Sequence, residues 1–329
     1  MMRLLFFTIL AWSFASAQIG EPLPQFLGRL TSLELQETAQ GYSTGSVALT
    51  PELRNERLFG LSGQATLNPV GRAALAQLVG AASGYGEGIT QPIQQFLTDR
   101  IGELAGQGPI PLGVEEFVLT LNVTGKAAPY KTTFELELLS VPETTFPKAQ
   151  HTLGPKDATF VIREFSDFQC PYCAQFAQNT LPLIKKQLLQ RGDVRFEFHH
   201  FPLTTIHANA QLAGEAAECV TAANTPRDFW TYHDALYTRQ QAWQGLGDAA
   251  PYFVRLAREL DLSDDGVAAC LEEGRYTKLV QDAYTVATQT LALNSTPTVF
   301  VGGYKLSASA AGTLPAYERA MARLEAFGP

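Results

Sequence analysis

Apolar and polar positions divide the chain into two regions, separated by a stretch rich in Pro and Thr, residues 141–157, that shows little periodicity and is predicted to be a linker. In the first region, 18–140, apolar residues recur every three or four positions in 75–82 and 93–104, which predicts two amphipathic helices. They alternate with polar residues within 117–138, which predicts two antiparallel strands. Strand-like residues also precede the helices, so the pattern predicts a small α+β accessory domain.

The second region, 158–329, opens with a continuous apolar run that is typical of a strand buried on both faces. A helix pattern follows, and then a second strand within 193–203. Residues 205–292 are mostly helical, and two short strands that turn at a Gly-Gly pair precede a terminal helix at 314–327. This order of strand, helix, strand, helical block, two strands and helix predicts an α/β, thioredoxin-like fold with a large helical insertion.

The first residues, 1–17, predict export. Arg3 precedes the apolar run 4–14, and small residues at 15–17 suit signal peptidase, so a secretory signal peptide that ends before Gln18 is expected. The alternative is a membrane anchor, but the run is shorter than the roughly 20 apolar residues that span a bilayer. This interpretation predicts a soluble protein that is periplasmic or otherwise extracytoplasmic.

Composition argues against some classes of function. The chain has 329 residues, of which 46% are hydrophobic and 17% charged, as in soluble globular proteins. With 24 Lys and Arg against 32 Asp and Glu, the net charge is −8, which argues against nucleic-acid binding. No glycine pattern typical of nucleotide binding occurs, and no cofactor is expected. The 4 cysteines are an even number, which suggests two disulfides in an oxidising compartment.

Two of the cysteines form a Cys-Pro-Tyr-Cys motif, residues 170–173, between the predicted buried strand and the following helix. The sulfur of Cys170 then lies at a helix N-terminus, where unpaired N–H groups stabilise a thiolate and lower its pKa. Pro171 suits the first helical position, which needs no N–H donor. Cys173 follows one turn later, and we expect it to be more buried. Such a pair exchanges disulfides with other thiols.

Three other interpretations of the motif are weaker. A structural zinc site needs four ligands, and the other two cysteines lie far downstream, so no metal is expected. A haem attachment motif needs His after the second cysteine, where the chain has Ala174. An inert disulfide across so short a loop removes little chain entropy from the unfolded state. Redox chemistry is therefore the favoured function of the motif.

The region 158–329 resembles the DsbA-like branch of the thioredoxin superfamily, which contains exported bacterial thiol–disulfide oxidoreductases. The resemblance rests chiefly on the segments FVIREFSDFQCPYCAQF and STPTVFVGG. It implies that Cys170 is the exposed cysteine that reacts with substrates and that Cys173 resolves the disulfide. It also implies a catalytic role for Glu164, as a buried acid that helps to move the proton of the inner thiol. The alternative is that Glu164 is a surface charge beside Arg163.

The same resemblance assigns a substrate-binding surface. Pro297 matches a cis-proline that packs against the two cysteines, and the backbone of Thr296 before it would pair with a substrate peptide as a short strand. Pro171 and Tyr172, between the cysteines, belong to the same surface. The implied partners are cysteine-containing exported proteins and a membrane redox partner that restores the motif after each reaction.

The direction of electron transfer stays open. The best-known oxidase of the family carries His where this chain has Tyr172, so we expect a less extreme oxidant that forms disulfides, with a dimeric disulfide isomerase or reductase as the alternative. The isomerase-like relatives carry an extra N-terminal domain that dimerises them, which makes 18–140 a candidate homodimer interface. A chaperone-like peptide-binding module is a further alternative, although such a module has no need for paired thiols.

The remaining cysteines and the histidines are interpreted as structural. Cys219 and Cys270 fall at apolar positions of helices in the insertion, and in an oxidising compartment they are predicted to form a structural disulfide. Two free buried thiols are the alternative. Some DsbA-like relatives carry a second disulfide in this region. The histidines interpreted as structural are His199, His200, His207 and His233.

Overall fold

The computed structural model describes residues 6–7 and 19–328, so the predicted signal peptide lies outside the described residues except at Phe6–Phe7. The chain forms two compact units. The first consists of Met1–Ser140 together with Ala322–Gly328, and the second of Val141–Met321. None of the described helices has the length and apolar character needed to cross a membrane.

The first unit contains a sheet of eight strands within the described residues. The strands are β1 Phe6–Phe7, β2 Gln36–Thr38, β3 Gly41–Ser43, β4 Val47–Arg54, β5 Arg57–Thr66, β6 Pro109–Val114, β7 Phe117–Thr124 and β8 Lys131–Leu138. Their order is β1-β6-β7-β8-β5-β4-β3-β2, and only β1 and β6 pair in parallel. The predicted antiparallel pair is confirmed as β7 and β8, where Phe117 lies opposite Leu138.

Two helices, Pro69–Ser83 and Glu87–Asp99, lie between β5 and β6 and confirm the predicted α+β order. The first starts at Asn68, whose side chain accepts a backbone N–H of the first turn at 2.8 Å, as a helix N-cap does. The two helices approach each other closely at Gly80, where a Cβ atom would overlap the hydroxyl of Thr90. A short helix, Leu23–Gly28, precedes β2.

The second unit contains a mixed five-stranded sheet within the described residues. Its strands are β9 His151–Leu153, β10 Phe160–Ser166, β11 Val194–His200, β12 Thr298–Val301 and β13 Tyr304–Lys305. Their order is β13-β12-β10-β11-β9, in which β10 and β11 are parallel and the other pairs antiparallel. The predicted central strand is confirmed as β10, which is buried along almost its whole length and ends shortly before the cysteine motif.

The helices of the second unit include the predicted insertion between β11 and β12. They are 171–191, Ala210–Ala223, Asp228–Thr238, Gln240–Trp243, Ala250–Glu259, Val267–Glu272, 277–290 and Leu314–Phe327, whose last residues group with the first unit. The first is α-helical at Pro171–Gln175 and continues with π-helical turns. This arrangement confirms the α/β, thioredoxin-like fold with a helical insertion.

Two predicted boundaries are wrong. Residues 141–157 are not a linker, because β9 pairs with β11 and the Val141 N–H donates to the Gly303 carbonyl at 2.8 Å. A three-residue strand is too short to show periodicity, which is why the sequence pattern misses it. The second unit also does not run to residue 329, since 322–328 group with the first unit.

Candidate active site

The cysteine motif lies in the turn that connects β10 to the helix at 171–191. Cys170 is the N-cap residue, with extended backbone angles, and Pro171 occupies the first turn as predicted. The Cys170 N–H donates to the Asp167 carbonyl at 3.1 Å. The side chain of Gln240 donates to the carbonyl oxygens of Phe168 and Cys170 at 2.9 and 3.0 Å. These bonds fix the turn that carries the reactive sulfur.

The two sulfurs are free thiols in different surroundings. In its thiol form Cys170 Sγ donates to the Thr296 carbonyl at 3.4 Å, and the Asp167 N–H donates to Cys173 Sγ at 3.5 Å. Cys173 is fully buried, whereas Cys170 is 4% exposed. Cys173 is therefore the more buried of the two, as expected. The expectation that Cys170 is exposed is wrong for this structure, because the segment that contains Thr296 covers its sulfur.

The pKa values of the two thiols move in opposite directions. The pKa of Cys170 falls to about 6, chiefly because the Cys173 thiol donates to its sulfur, while the backbone N–H groups of Tyr172 and Cys173 also stabilise the thiolate and burial opposes them. Burial raises the pKa of Cys173 well above its usual range, and its hydrogen bond to Cys170 adds to this effect. At neutral pH the pair therefore holds one thiolate and one thiol.

Glu164 is fully buried on β10, which excludes the surface position considered from the sequence. The Ser166 hydroxyl donates to Glu164 Oε1 at 2.6 Å and lies 2.7 Å from the Tyr237 hydroxyl. The other carboxyl oxygen has no hydrogen-bond partner among the described residues. Burial raises the pKa of Glu164 to about 8, and its charge raises the pKa of Cys173 in turn. Glu164 is therefore mostly protonated at neutral pH.

The Thr296–Pro297 peptide bond is cis and directly precedes β12. β12 pairs antiparallel with β10, which brings Thr296 to the cysteine motif, where its carbonyl accepts from Cys170. The Thr296 hydroxyl is buried and has no hydrogen-bond partner among the described residues. The structure thus brings Cys170, Cys173 and Thr296 together at one end of β10.

Asp167 is a residue of this site that the sequence did not single out. Its Oδ2 accepts from the Leu203 N–H at 2.7 Å and lies 2.8 Å from His207 Nδ1. Its own N–H donates to Cys173, so Asp167 connects the chain after β11 to the inner sulfur. The sequence signal that could have identified Asp167 is its position, as a polar residue directly after a buried strand and three positions before Cys170.

Large apolar side chains are exposed around the motif. Tyr172 is 67% exposed, Ile206 70% and Leu246 39%. The chain segments that carry the last two are hydrogen-bonded to the loop before Cys170: the Leu203 N–H donates to Asp167, and Asn209 bonds both Gln169 and the Leu246 carbonyl. Ile206 and Leu246 therefore lie on segments that are bonded to the loop before Cys170.

The structure contains the predicted disulfide between Cys219 and Cys270. The Cα–Cα distance is 5.9 Å, within the range of protein disulfides. The bond joins the helix Ala210–Ala223 to the helix Val267–Glu272. It lies outside the Cys-Pro-Tyr-Cys site and links two parts of the insertion.

The histidines fall into separate environments. His199 stacks on Phe165 at a centroid distance of 4.7 Å. His233 is fully buried, with Nδ1 2.8 Å from Asp234. His200 contacts Glu218 together with His151, a residue that sequence reasoning did not consider because it lies in the stretch read as a linker.

Comparisons with known proteins agree on the second region. Residues 147–316, more than half of the chain, match a family model described as thioredoxin. The chain is 30% identical over 162 residues to disulfide bond formation protein D of Bacillus subtilis, which covers 47% of this chain and 68% of that protein. It is 33% identical over 185 residues to the Na(+)/H(+) antiporter NhaA 3 of Salinispora tropica, which covers 54% of this chain.

The chain spans only about a quarter of that antiporter's length, 26%. Among solved structures, oxidised BdbD from Bacillus subtilis is similar with 24% sequence identity and a TM-score of 0.45, over 54% of this chain and 91% of that chain. From the family match and the relative from Bacillus subtilis, we conclude that this chain belongs to the thioredoxin superfamily, in its DsbA-like branch.

Proposed function

We propose that this protein is an extracytoplasmic thiol–disulfide oxidoreductase that forms disulfides in exported proteins through Cys170 and Cys173. The proposal rests on the difference between the two cysteines. Cys170 is a stabilised thiolate, and Cys173 is a buried thiol of raised pKa. The relative named disulfide bond formation protein D supports it. The buried disulfide between Cys219 and Cys270 supports an oxidising compartment.

The oxidative reaction proceeds by two thiol–disulfide exchanges. A substrate thiolate attacks Cys170 Sγ of the oxidised pair, a mixed disulfide forms, and the bond to Cys173 breaks with its electron pair on the Cys173 sulfur. A second substrate thiolate then attacks the substrate sulfur of the mixed disulfide, and Cys170 leaves as a thiolate. The substrate loses two electrons as its disulfide forms, and the Cys170–Cys173 pair gains them.

Glu164 is positioned to supply the proton that Cys173 needs. When the Cys170–Cys173 bond breaks, the buried sulfur of Cys173 would carry a negative charge, which its environment disfavours. Glu164 is protonated at neutral pH and has an unpaired oxygen within the same buried region. The hydroxyls of Ser166 and Tyr237 extend the hydrogen-bonded group from its other oxygen.

The substrate is an extended peptide segment that contains cysteine. The cis-proline segment at Thr296 lies against Cys170, so a peptide that pairs with its backbone presents a thiol to the sulfur. The apolar side chains of Tyr172, Ile206 and Leu246 contact the residues beside that cysteine. The reduced pair then passes its two electrons to a membrane redox partner.

The lowered pKa of Cys170 favours oxidation as the direction of the reaction. A stabilised thiolate is a good leaving group and favours the reduced form of the protein, so the disulfide form is an oxidant. The alternative function, a disulfide isomerase or reductase, requires a lower reduction potential. Equilibration of the pair with glutathione separates the two: a strongly oxidising potential supports the oxidase, and a thioredoxin-like potential supports the reductase.

Two variants test the proposal directly. Cys170→Ser is expected to abolish oxidation of a reduced substrate protein, and Cys173→Ser is expected to accumulate mixed disulfides that a non-reducing gel detects. The double variant Cys219→Ala/Cys270→Ala is the matched control, because it removes two cysteines outside the site and retains the reaction. Normal turnover in Cys170→Ser would contradict the proposal.

The Cys170→Ser/Cys173→Ser double variant separates this function from that of a chaperone-like module. An oxidoreductase loses its biological function with both thiols, whereas a peptide-binding module keeps it. The first unit has no assigned chemistry, and 18–140 contains neither cysteine nor histidine. We propose that it is a dimerisation module, in keeping with the extra domain of isomerase-like relatives.

A further inference from the structure

Three buried side chains of the second unit converge outside the active site. His151 Nε2 lies 2.6 Å from Glu218 Oε1, and His200 Nε2 lies 2.7 Å from the same oxygen. The three ligand atoms lie within 4.8 Å of one another, and each side chain is at most 7% exposed. The residues come from three elements, β9, β11 and the helix Ala210–Ala223.

The three residues lack a fixed positive charge. Within the part of the chain that the structure describes, Glu218 forms ion pairs only with the two imidazoles. A buried carboxylate needs a compensating positive charge, because the loss of hydration is costly. A cation held among the three side chains would provide that charge.

We propose that His151, His200 and Glu218 form a binding site for a divalent transition-metal ion of the zinc class. Two imidazole nitrogens and one carboxylate oxygen form a ligand set found in zinc proteins, whereas Ca²⁺ and Mg²⁺ take oxygen ligands. Metal–ligand bonds of about 2.0–2.2 Å place two ligands of a tetrahedral ion about 3.3 Å apart. Each imidazole nitrogen therefore needs to move away from the Glu218 oxygen by less than about 1 Å to admit the ion.

Packing holds both imidazoles close to Glu218. His151 stacks on Phe229, with ring centroids 3.4 Å apart and an interplanar angle of 2°. Gly214 leaves room for His200, since a Cβ atom at that position would lie 3.2 Å from His200 Nδ1. Rings that are fixed before binding lose little conformational freedom when the ion arrives. The site is therefore pre-organised for a metal.

A cavity of about 510 Å³ lies beside the site. His200 lines this cavity, as does Gln150, the neighbour of His151. Three protein ligands leave a fourth position that water fills in zinc sites of this kind. A bound ion would join the edge strand β9 to the helix that also carries Cys219, so its role is structural.

The test is zinc binding by the full chain, produced without a histidine tag and with Cys170 and Cys173 oxidised, because free sulfurs would bind zinc themselves. We expect one equivalent of Zn²⁺ per chain after dialysis, measured by elemental analysis. Zn²⁺ is also expected to raise the unfolding temperature, because it binds only the folded protein. Substoichiometric zinc after loading with excess Zn²⁺ overturns the proposal and leaves a hydrogen-bonded histidine–glutamate group.

Substitutions of the proposed ligands test where the zinc binds. His151→Ala and Glu218→Gln are expected to lose the bound zinc and the rise in unfolding temperature. His207→Ala is the matched control, since His207 also contacts a carboxylate, that of Asp167, but lies outside the cluster. Retention of one equivalent of zinc in both cluster variants overturns the proposal.

A second measurement does not depend on variants that fold. X-ray absorption of the zinc-loaded, unaltered chain is expected to show nitrogen and oxygen ligands with the signature of two imidazoles. Sulfur in the first coordination shell assigns the ion to the cysteines and overturns the proposal. Replacement of Zn²⁺ by Co²⁺ is expected to give the visible absorption of a four-coordinate ion without thiolate ligands.

Discussion

The reactivity of the active site depends on which of its residues stabilise a negative charge. Cys170 receives hydrogen bonds from Cys173 and from backbone N–H groups, so its sulfur carries the charge readily. Cys173 and Glu164 are fully buried, so both favour the protonated form. When Cys173 gains electrons on reduction of the disulfide, it therefore also takes up a proton.

The Cys170 thiolate should be directly measurable. In the reduced protein, we expect the rate of alkylation by iodoacetamide to be half-maximal near pH 6, because the pKa of Cys170 falls to about 6 from the ordinary value of 9.0. Cys170→Ser is the control and should lose this fast reaction, since the pKa of Cys173 is raised well above its usual range and Cys173 is protonated across this pH range. A half-maximal rate near pH 9 would contradict the assignment.

The same lowered pKa makes the stability of the reduced protein depend on pH. A group whose folded pKa is lowered stabilises the fold fully above its unfolded pKa, near 9, and loses this contribution as pH falls through about 6. The free energy of unfolding of the reduced protein should therefore rise between about pH 6 and pH 9 relative to Cys170→Ser. Denaturant titrations at several pH values measure the difference, and parallel curves would argue against it.

The contribution of Glu164 to the free energy of unfolding should have the opposite pH dependence. Its folded pKa of about 8 lies above the ordinary value of 4.5, so its contribution is complete below about pH 4.5 and is lost as pH rises through about 8. Glu164→Gln removes this loss, which is on the order of 3 kcal/mol at pH 7. In the oxidised protein, where the cysteines do not titrate, the variant should become progressively more stable than the unaltered chain between pH 5 and pH 8. An unchanged difference across that range would contradict the buried carboxyl.

The disulfide connects two helices of the insertion that are far apart in the chain. The sequence separation of Cys219 and Cys270 is 51 residues. Closing a loop of that length stabilises the fold by about 4 kcal/mol in the chain-entropy model. We expect Cys219→Ala/Cys270→Ala to lower the free energy of unfolding by up to about 4 kcal/mol, measured by denaturant titration. No change on substitution would show that packing alone holds the helices.

The sequence predicted the long elements better than the short ones. The alternation in β7 and β8 and the apolar run of β10 identified strands of seven or eight residues. β9 has only three residues and lies in a Pro- and Thr-rich stretch, so no local pattern marks it. Its pairing with β11 depends on contacts between residues 43 to 47 positions apart, which local periodicity does not report.

Local sequence patterns also identified only part of the candidate active site. The sequence identified Cys170 and Cys173 because their spacing is local, and the resemblance added Glu164 and Thr296. Residues that reach the site from distant segments were missed. Tyr237 contacts Ser166 across 71 positions, and no local spacing relates them. The burial of Cys170 under Thr296 likewise depends on a contact across 126 positions.

For the whole molecule, the proposed dimer gives a test of the first unit. We expect the full chain to sediment at twice its mass, 35.8 kDa, less the signal peptide if it is removed. A truncated chain without the first unit should be a monomer, and the truncation has to remove 322–328 as well as 18–140, because both belong to that unit. A full chain that stays monomeric at all concentrations would contradict the dimer.

The buried disulfide has a consequence for how each new molecule matures. Cys219 and Cys270 are 2% and 4% exposed, so an oxidant reaches them only before the helices of the insertion have packed. The oxidant has to be a separate molecule, because the molecule's own active-site turn forms in the same folding process. If the proposed activity is correct, a newly exported chain is a substrate for finished copies of itself. Formation of the Cys219–Cys270 disulfide should then accelerate as the first molecules accumulate.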